Sequence, residues 1–355
     1  MKVKVGLLRE GFILDDDVYS LSNKPILRKN TKLNAKHIEV IKAFLIKEVN
    51  IKKESESLEQ EIKDEILEGL EREEYTSFTE HYDQTVQNVK KMFLSWQAGS
   101  AVNISKVRET ILPLVETALQ NSKQVMHLYK RCINNEYIYH HSIGVALLSA
   151  LIAKKMNYAQ GEINQVAIAG LLIDSGMSKI NHSILYKNSV LTEQEYSEVK
   201  QHPVHSYKML KDLPSLSEGA KISVLQHHER LDGSGYPLGF KGDKLHPYGK
   251  IISLADTYYA MVSARPYRPS LSPFYALGYL EKDQFGKFDV TVMKVLKQLF
   301  MSYVKDRKVG LSDGRVAEVV YMDEKNTTKP MVKILNTKEV LLLGKDDQIQ
   351  INEVF

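Results

Sequence analysis

Two histidines stand side by side at His227-His228, heading a stretch that reads H-H-E-R-L-D-G-S-G-Y-P, and a second stretch, L-A-D-T-Y-Y-A-M, follows from Leu254. A buried imidazole needs polar partners for both ring nitrogens, so a plain apolar core rarely holds two in succession. A metal ion takes the nitrogen lone pair directly. The fold must therefore bring a histidine pair, a glycine-rich connection and the distal carboxylate of Asp256 around one centre.

Composition limits the type of donor. The chain has a single cysteine, Cys132, which excludes an internal disulfide framework and a thiolate metal site, so any ion here is held by His, Asp and Glu. In chain order the candidates are His141, Asp174, His202, His227, His228 and Asp256. His141 opens an apolar helix carrying Val145, Leu148 and Ile152, and a residue at a helix mouth reaches a central site without being sealed in the core. Asp174 ends the run Val166 to Leu172, where Gly176 can stop the helix and leave the carboxylate turned to the same centre. His202 precedes Pro203, which is tolerated in the first turn of a helix. Taken singly, each histidine reads as structural or exposed, since the chain has eleven. Taken together, imidazoles and carboxylates in this mixture suit iron, manganese or zinc, and a carboxylate can bridge two cations.

The rest of the chain sets this constellation in a mainly α fold. Residues 1–50 read as a small β/α module, with Asn34 capping a helix whose Ile38, Ile41, Phe44 and Leu45 share a face. Residues 51–102 form a helical linker. It is Glu/Lys-rich to Glu74 and then carries a stripe at Phe78, Tyr82, Val86, Val89, Phe93 and Trp96, which core packing explains most simply. Residues 103–305 repeat helix after helix, and 306–355 return to short alternating strands with Asp313-Gly314, Asn326 and Asn336 turns. At 355 residues the chain exceeds a single core. An apolar content of 43%, 26% charged residues and a net charge of +4 are those of a soluble globular protein and argue for neither nucleic acid nor a membrane surface. No apolar run reaches the ~20 residues of a spanning helix and no signal core opens the chain, so a cytoplasmic location is expected.

The segment His227 to Arg268 resembles the HD-GYP family of metal-dependent phosphohydrolases. The likeness rests on H-H-E-R-L-D-G-S-G-Y-P, A-D-T-Y-Y-A-M and R-P-Y-R, and extends upstream through Tyr137 to Ser142, Ile184 to Lys187, Leu191-Thr192 and His202-Pro203. It implies an all-helical HD-type bundle with small β modules at its ends, one or two divalent ions, iron or manganese, and hydrolysis of the bacterial messenger c-di-GMP. It further implies that His141, His202, His227, His228 and Asp256 are ligands and that Asp174 is the catalytic bridge. Two positions depart from the pattern: Ile173 stands where the histidine of the histidine-aspartate pair would be, and Met177 where a lysine would follow the glycine. Isoleucine offers no lone pair and a thioether cannot replace a cation beside a phosphate, so impaired catalysis is expected, with a c-di-GMP receptor or scaffold as the alternative. Gly233, Gly235 and Tyr236 are expected at the ligand. Arg265 and Arg268 either clamp its phosphates or pair with local carboxylates. GGDEF-type or other signalling proteins and a second copy of the chain are the partners expected.

Overall fold

The computed structural model describes residues 2–5, 8, 10–19, 25–44, 46–52, 56–132, 136–187, 189–264, 270–282, 284–344 and 349–355, with the backbone alone over 2–4 and 56–76. Two compact units divide the chain, Met1–Ser77 and Phe78–Phe355. The first contains β1 (Lys2–Lys4), β2 (Val18–Tyr19), β3 (Pro25–Leu27), helix α1 (Ala35–Ala43) and β4 (Glu48–Asn50). Strands β1 and β4 pair antiparallel, as do β2 and β3. The Asn34 side chain accepts the His37 N–H at 3.0 Å, the N-cap expected there. Ile41 faces the small core of Leu14, Leu33, Val49 and Ile51. Phe44 does not share that face: α1 stops at Ala43, and Phe44, its C-cap, is turned out and 54% exposed. Leu45 lies outside the described residues.

Helix α2 runs unbroken over Glu56–Gln97, inside the stretch read as a helical linker. Its aromatic stripe, Phe78 to Trp96, is buried in the core of the second unit. Thereafter come α3 (Ile104–Gln120), α4 (Ser122–His127), α5 (Tyr137–Lys155), α6 (Gln160–Leu172), α7 (His182–Leu185), α8 (Glu193–Val199) and α9 (His202–Leu210). The series ends with α10 (Glu218–Gln226), α11 (Pro247–Val262), α12 (Pro273–Lys282) and α13 (Val290–Val304). Helix α5 is the axis of this bundle, buried on every face from Tyr139 to Ala153, which is why its sequence is apolar all round rather than striped. Gly144 is what lets α11 close on it, since a Cβ at that position would fall inside the Tyr259 ring.

Strands β5 (Lys308–Leu311), β6 (Val316–Tyr321), β7 (Met331–Ile334), β8 (Val340–Leu342) and β9 (Ile351–Val354) form one antiparallel sheet in the order β8-β7-β6-β5-β9. Val309, Leu311, Ala317, Val319, Val332 and Ile334 alternate inward and continue the same apolar core as the helices. Among the described residues no helix is long and apolar enough to cross a membrane.

Candidate metal centre

Three helix ends and the interiors of two more helices supply the centre. His141 lies in the second turn of α5 and is only 3% exposed, so it is more deeply enclosed than a residue at a helix mouth. Asp174 follows α6 directly, at the head of the 3-10 turn Ser175–Lys179. His202 opens α9, with Pro203 in its first turn. His227 caps the C-terminus of α10 with His228 next to it, and Asp256 projects from the middle of α11.

The turn after α6 is stapled to α9 by contacts with no signature in the sequence pattern. Ser206 donates its hydroxyl to the Ile173 carbonyl at 2.6 Å and accepts the Gly176 N–H at 2.7 Å. Gly176 sits so close to α9 that a Cβ there would meet the His202 carbonyl and the Ser206 nitrogen. That approach holds Asp174 beside His202. One Asp174 oxygen lies 3.3 Å from His202 Nε2 and the other 3.7 Å from His141 Nε2, so a single carboxylate faces both sides of the centre. Asp256 is placed similarly, with Oδ1 2.9 Å from His141 Nε2 and Oδ2 3.6 Å from His228 Nδ1.

The tautomers follow from the partners. His202 Nδ1 is 2.7 Å from the Val199 carbonyl and His227 Nδ1 is 2.7 Å from the Val224 carbonyl. A carbonyl only accepts, so each Nδ1 carries the proton and each Nε2 presents a lone pair. Those two Nε2 atoms lie 3.1 Å apart. They cannot hydrogen-bond to each other while both rings are neutral, and burial holds both neutral, lowering each pKa to about 4. Facing lone pairs in a sealed pocket repel unless a cation lies between them, and His228 brings a third imidazole within 4.8 Å of both. This donor set fits a divalent ion, with the His202 and His227 rings each oriented by a backbone carbonyl.

On the other side the groups satisfy one another. Burial alone would raise the Asp256 carboxyl, but the His141 hydrogen bond and the surrounding imidazoles hold it far below the usual carboxylate range. His141 Nε2–H thus donates to Asp256, and its Nδ1, 3.2 Å from the Tyr137 hydroxyl, accepts from that phenol. The neighbouring His140 turns away to Tyr82, at 2.8 Å.

The glycine loop is held by a residue that the sequence reading passed over. Glu229 is 1% exposed, and its carboxylate accepts the N–H groups of Leu238, Gly239 and Phe240 at 2.6, 3.1 and 3.1 Å. Gly235 lets the loop fold flat on its own stem, since a Cβ would meet the His228 carbonyl and the Arg230 nitrogen. The Tyr236 ring then packs on His228 with centroids 4.7 Å apart, while Gly233 lies against the Lys241 stem. Arg230 is spent internally, on the carbonyls of His227 and Glu229 and on Thr257. Arg265 and Arg268 lie outside the described residues.

The HD domain family matches residues 113–292, about half of the chain. The chain is 27% identical over 246 residues to the cyclic di-GMP phosphodiesterase PA4108 of Pseudomonas aeruginosa, covering 69% of this chain and 59% of that protein. It is 30% identical over 217 residues to the cyclic di-GMP phosphodiesterase PdeB of Borreliella burgdorferi, covering 60% and 56%. It therefore spans little more than half the length of either relative. The chain belongs to the HD-domain family, in its HD-GYP branch. The HD-GYP fold is also that of Bd1817, an HDG"Y"P protein from Bdellovibrio bacteriovorus, with a TM-score of 0.52 at 17% identity over 84% of this chain and 99% of that one.

Within this HD-GYP bundle the two departures take up apolar roles. Ile173 is fully buried and belongs to the hydrophobic core, and Met177 packs half-buried against the same core. The hydroxyls beside Ile173 and Met177 are committed elsewhere: Ser175 donates to the Leu172 carbonyl, and Ser178 lies against the Met209 sulfur.

Proposed function

We propose that this chain hydrolyses a phosphodiester bond of c-di-GMP at a reduced rate, with Asp174 spanning the two sides of the centre. The observation that carries this reading is the pair of Nε2 lone pairs 3.1 Å apart, each fixed by a carbonyl behind it, with a carboxylate in reach of both sides. His202, His227 and His228 would hold one divalent ion together with Asp174, and His141 and Asp256 would take part in holding a second. Iron or manganese suits this nitrogen and oxygen set. When bound, such ions polarise a phosphoryl oxygen and acidify water. The residues of this chain do the rest: the Val199 and Val224 carbonyls fix the imidazole tautomers, Asp256 stays ionised, and Tyr236 walls the side of the pocket next to His228. The same reading takes the cytoplasm as the compartment and a GGDEF-type protein or a second copy as the partner.

A second reading, a c-di-GMP receptor without turnover, is favoured by one observation: the position of the missing imidazole is filled by Ile173, sealed in the core and unable to donate. Purified protein supplied with Mn²⁺ or Fe²⁺ and c-di-GMP separates the two. Release of linear dinucleotide or GMP supports the hydrolase, and binding without product supports the receptor. Neither binding nor product removes both.

A further inference from the structure

Lys200 closes α8 and stands two residues before His202, and its ammonium lies between two aromatic faces. Nζ is 4.8 Å from the centroid of Tyr196 and 5.4 Å from that of Tyr236. Tyr236 is the ring that packs on His228, so the charge sits one ring away from the metal centre. Nearby cations are engaged otherwise. Lys179 donates to the Trp96 carbonyl at 2.6 Å, Lys187 to both Glu195 oxygens at 2.8 and 2.7 Å, Lys250 faces Asp289 at 3.6 Å, and Arg230 is held by backbone. Among the described residues, Lys200 has no carboxylate partner.

A helix C-terminus favours a positive charge, which accounts for a lysine at 200 but not for two rings around its head group. Aromatic faces position an ammonium and strip part of its water without neutralising it. A partly buried cation with no carboxylate partner, one ring away from the candidate metal centre, is matched to an anion that enters with the substrate. We propose that Lys200 binds a phosphate of the substrate, with Tyr196 and Tyr236 setting the position of its Nζ. The inference rests on the phosphodiesterase reading above and adds to it the side chain that receives the non-reacting charge.

The test uses the metal-loaded full chain, K200M and K200R, with c-di-GMP hydrolysis, titration with inorganic phosphate, and metal content measured on each. The charge-assisted contact predicts a KM for c-di-GMP raised on the order of 10- to 100-fold in K200M. It also predicts kcat within about threefold, unchanged metal content, and recovery of most of the loss in K200R. Wild-type turnover with an unchanged KM in K200M overturns the role of Lys200 and leaves the hydrolase reading standing. Loss of metal from K200M, or equal loss in K200R, makes the residue structural and overturns it as well. If the wild type neither binds nor hydrolyses c-di-GMP, the function reading falls, and inorganic phosphate decides the remainder: weaker binding by K200M supports a phosphate site, and equal binding ends it.

Discussion

The two sides of the metal centre differ in what they need. On the side of His202, His227 and His228, the Nε2 lone pairs of His202 and His227 face each other in a buried pocket, and among the described residues no hydrogen-bond donor answers them. On the side of His141, the Tyr137 hydroxyl, the imidazole and the Asp256 carboxylate form a closed hydrogen-bond chain that is complete as it stands. An unanswered set gains the full interaction when an ion arrives, whereas a satisfied set must first give up its own hydrogen bond and proton. The centre should therefore hold one ion tightly and a second weakly. On the proposed function, the donor that Ile173 does not supply would belong to the side that already has the weaker claim.

The largest effect that can break this comparison comes from His227→Ala. Losing a partner behind a ligand costs on the order of 10- to 100-fold in metal affinity or activity, and losing the ligand itself should cost more. The expected result is a fall from about one tightly held ion per chain to almost none by elemental analysis, with activity down by on the order of 100-fold or more. If His141→Ala depletes the tight ion just as thoroughly, the asymmetry is wrong.

Next in size is a gain. Ile173→His together with Met177→Lys returns a donor and a cation to the weak side, and should raise the second ion's occupancy and the rate of c-di-GMP hydrolysis by roughly 10- to 100-fold. The new imidazole enters an apolar pocket, so some stability is lost. An unchanged metal count in a folded double variant would show that position 173 does not limit the weak side.

A smaller effect is expected of Tyr137→Phe. Removing the hydroxyl leaves His141 Nδ1 without that partner and loosens the ring that faces Asp256 and Asp174. About a 10-fold loss of affinity for the weaker ion follows, at the low end for a group that orients a ligand. The tight ion should be untouched, and titration of both ions by calorimetry would show it.

These residues also mark how far the sequence was legible. The six side chains that the structure brings together could be singled out because imidazole is scarce, chemically particular and set in a recognisable spacing. The helical bundle was found because apolar periodicity survives in sequence. Glu229 was overlooked although it lies inside the same motif, because its partners are backbone N–H groups nine to eleven residues away, which any sequence would supply. Ser206 and Tyr137 were opaque for the same reason: a hydroxyl gains its role from the atom opposite, here the Ile173 carbonyl and His141 Nδ1. The composition changes from charged to apolar near Glu74, and α2 continues through that change. Composition reports which faces are buried, while a charged, solvated stretch of good helix formers propagates the helix just as well, and Gly69 within α2 does not break it. Lys200 was likewise invisible, since its significance lies in two rings brought together from α8 and the loop.

The smallest effect concerns protons, and it bears on the imidazole side alone. Burial lowers His202 and His227 to about 4 in the native state, whereas in the unfolded chain each titrates near 6.5. Between these values the unfolded chain binds protons that the native protein does not, so stability rises with pH across the window. The contribution is complete above about pH 6.5 and is lost as pH falls toward about 4. Chelator-treated protein should therefore show a falling Tm between pH 7 and pH 5, and that fall should become shallower in a folded His202→Gln variant, which has one fewer imidazole to titrate. Protein loaded with Mn²⁺ should keep its tight ion down to about pH 5, below the point where ordinary imidazoles would release it. A Tm that is flat across this range, or an ion released near pH 6.5, would mean that the three imidazoles are solvated in solution, and the contrast between the two sides would lose its physical basis.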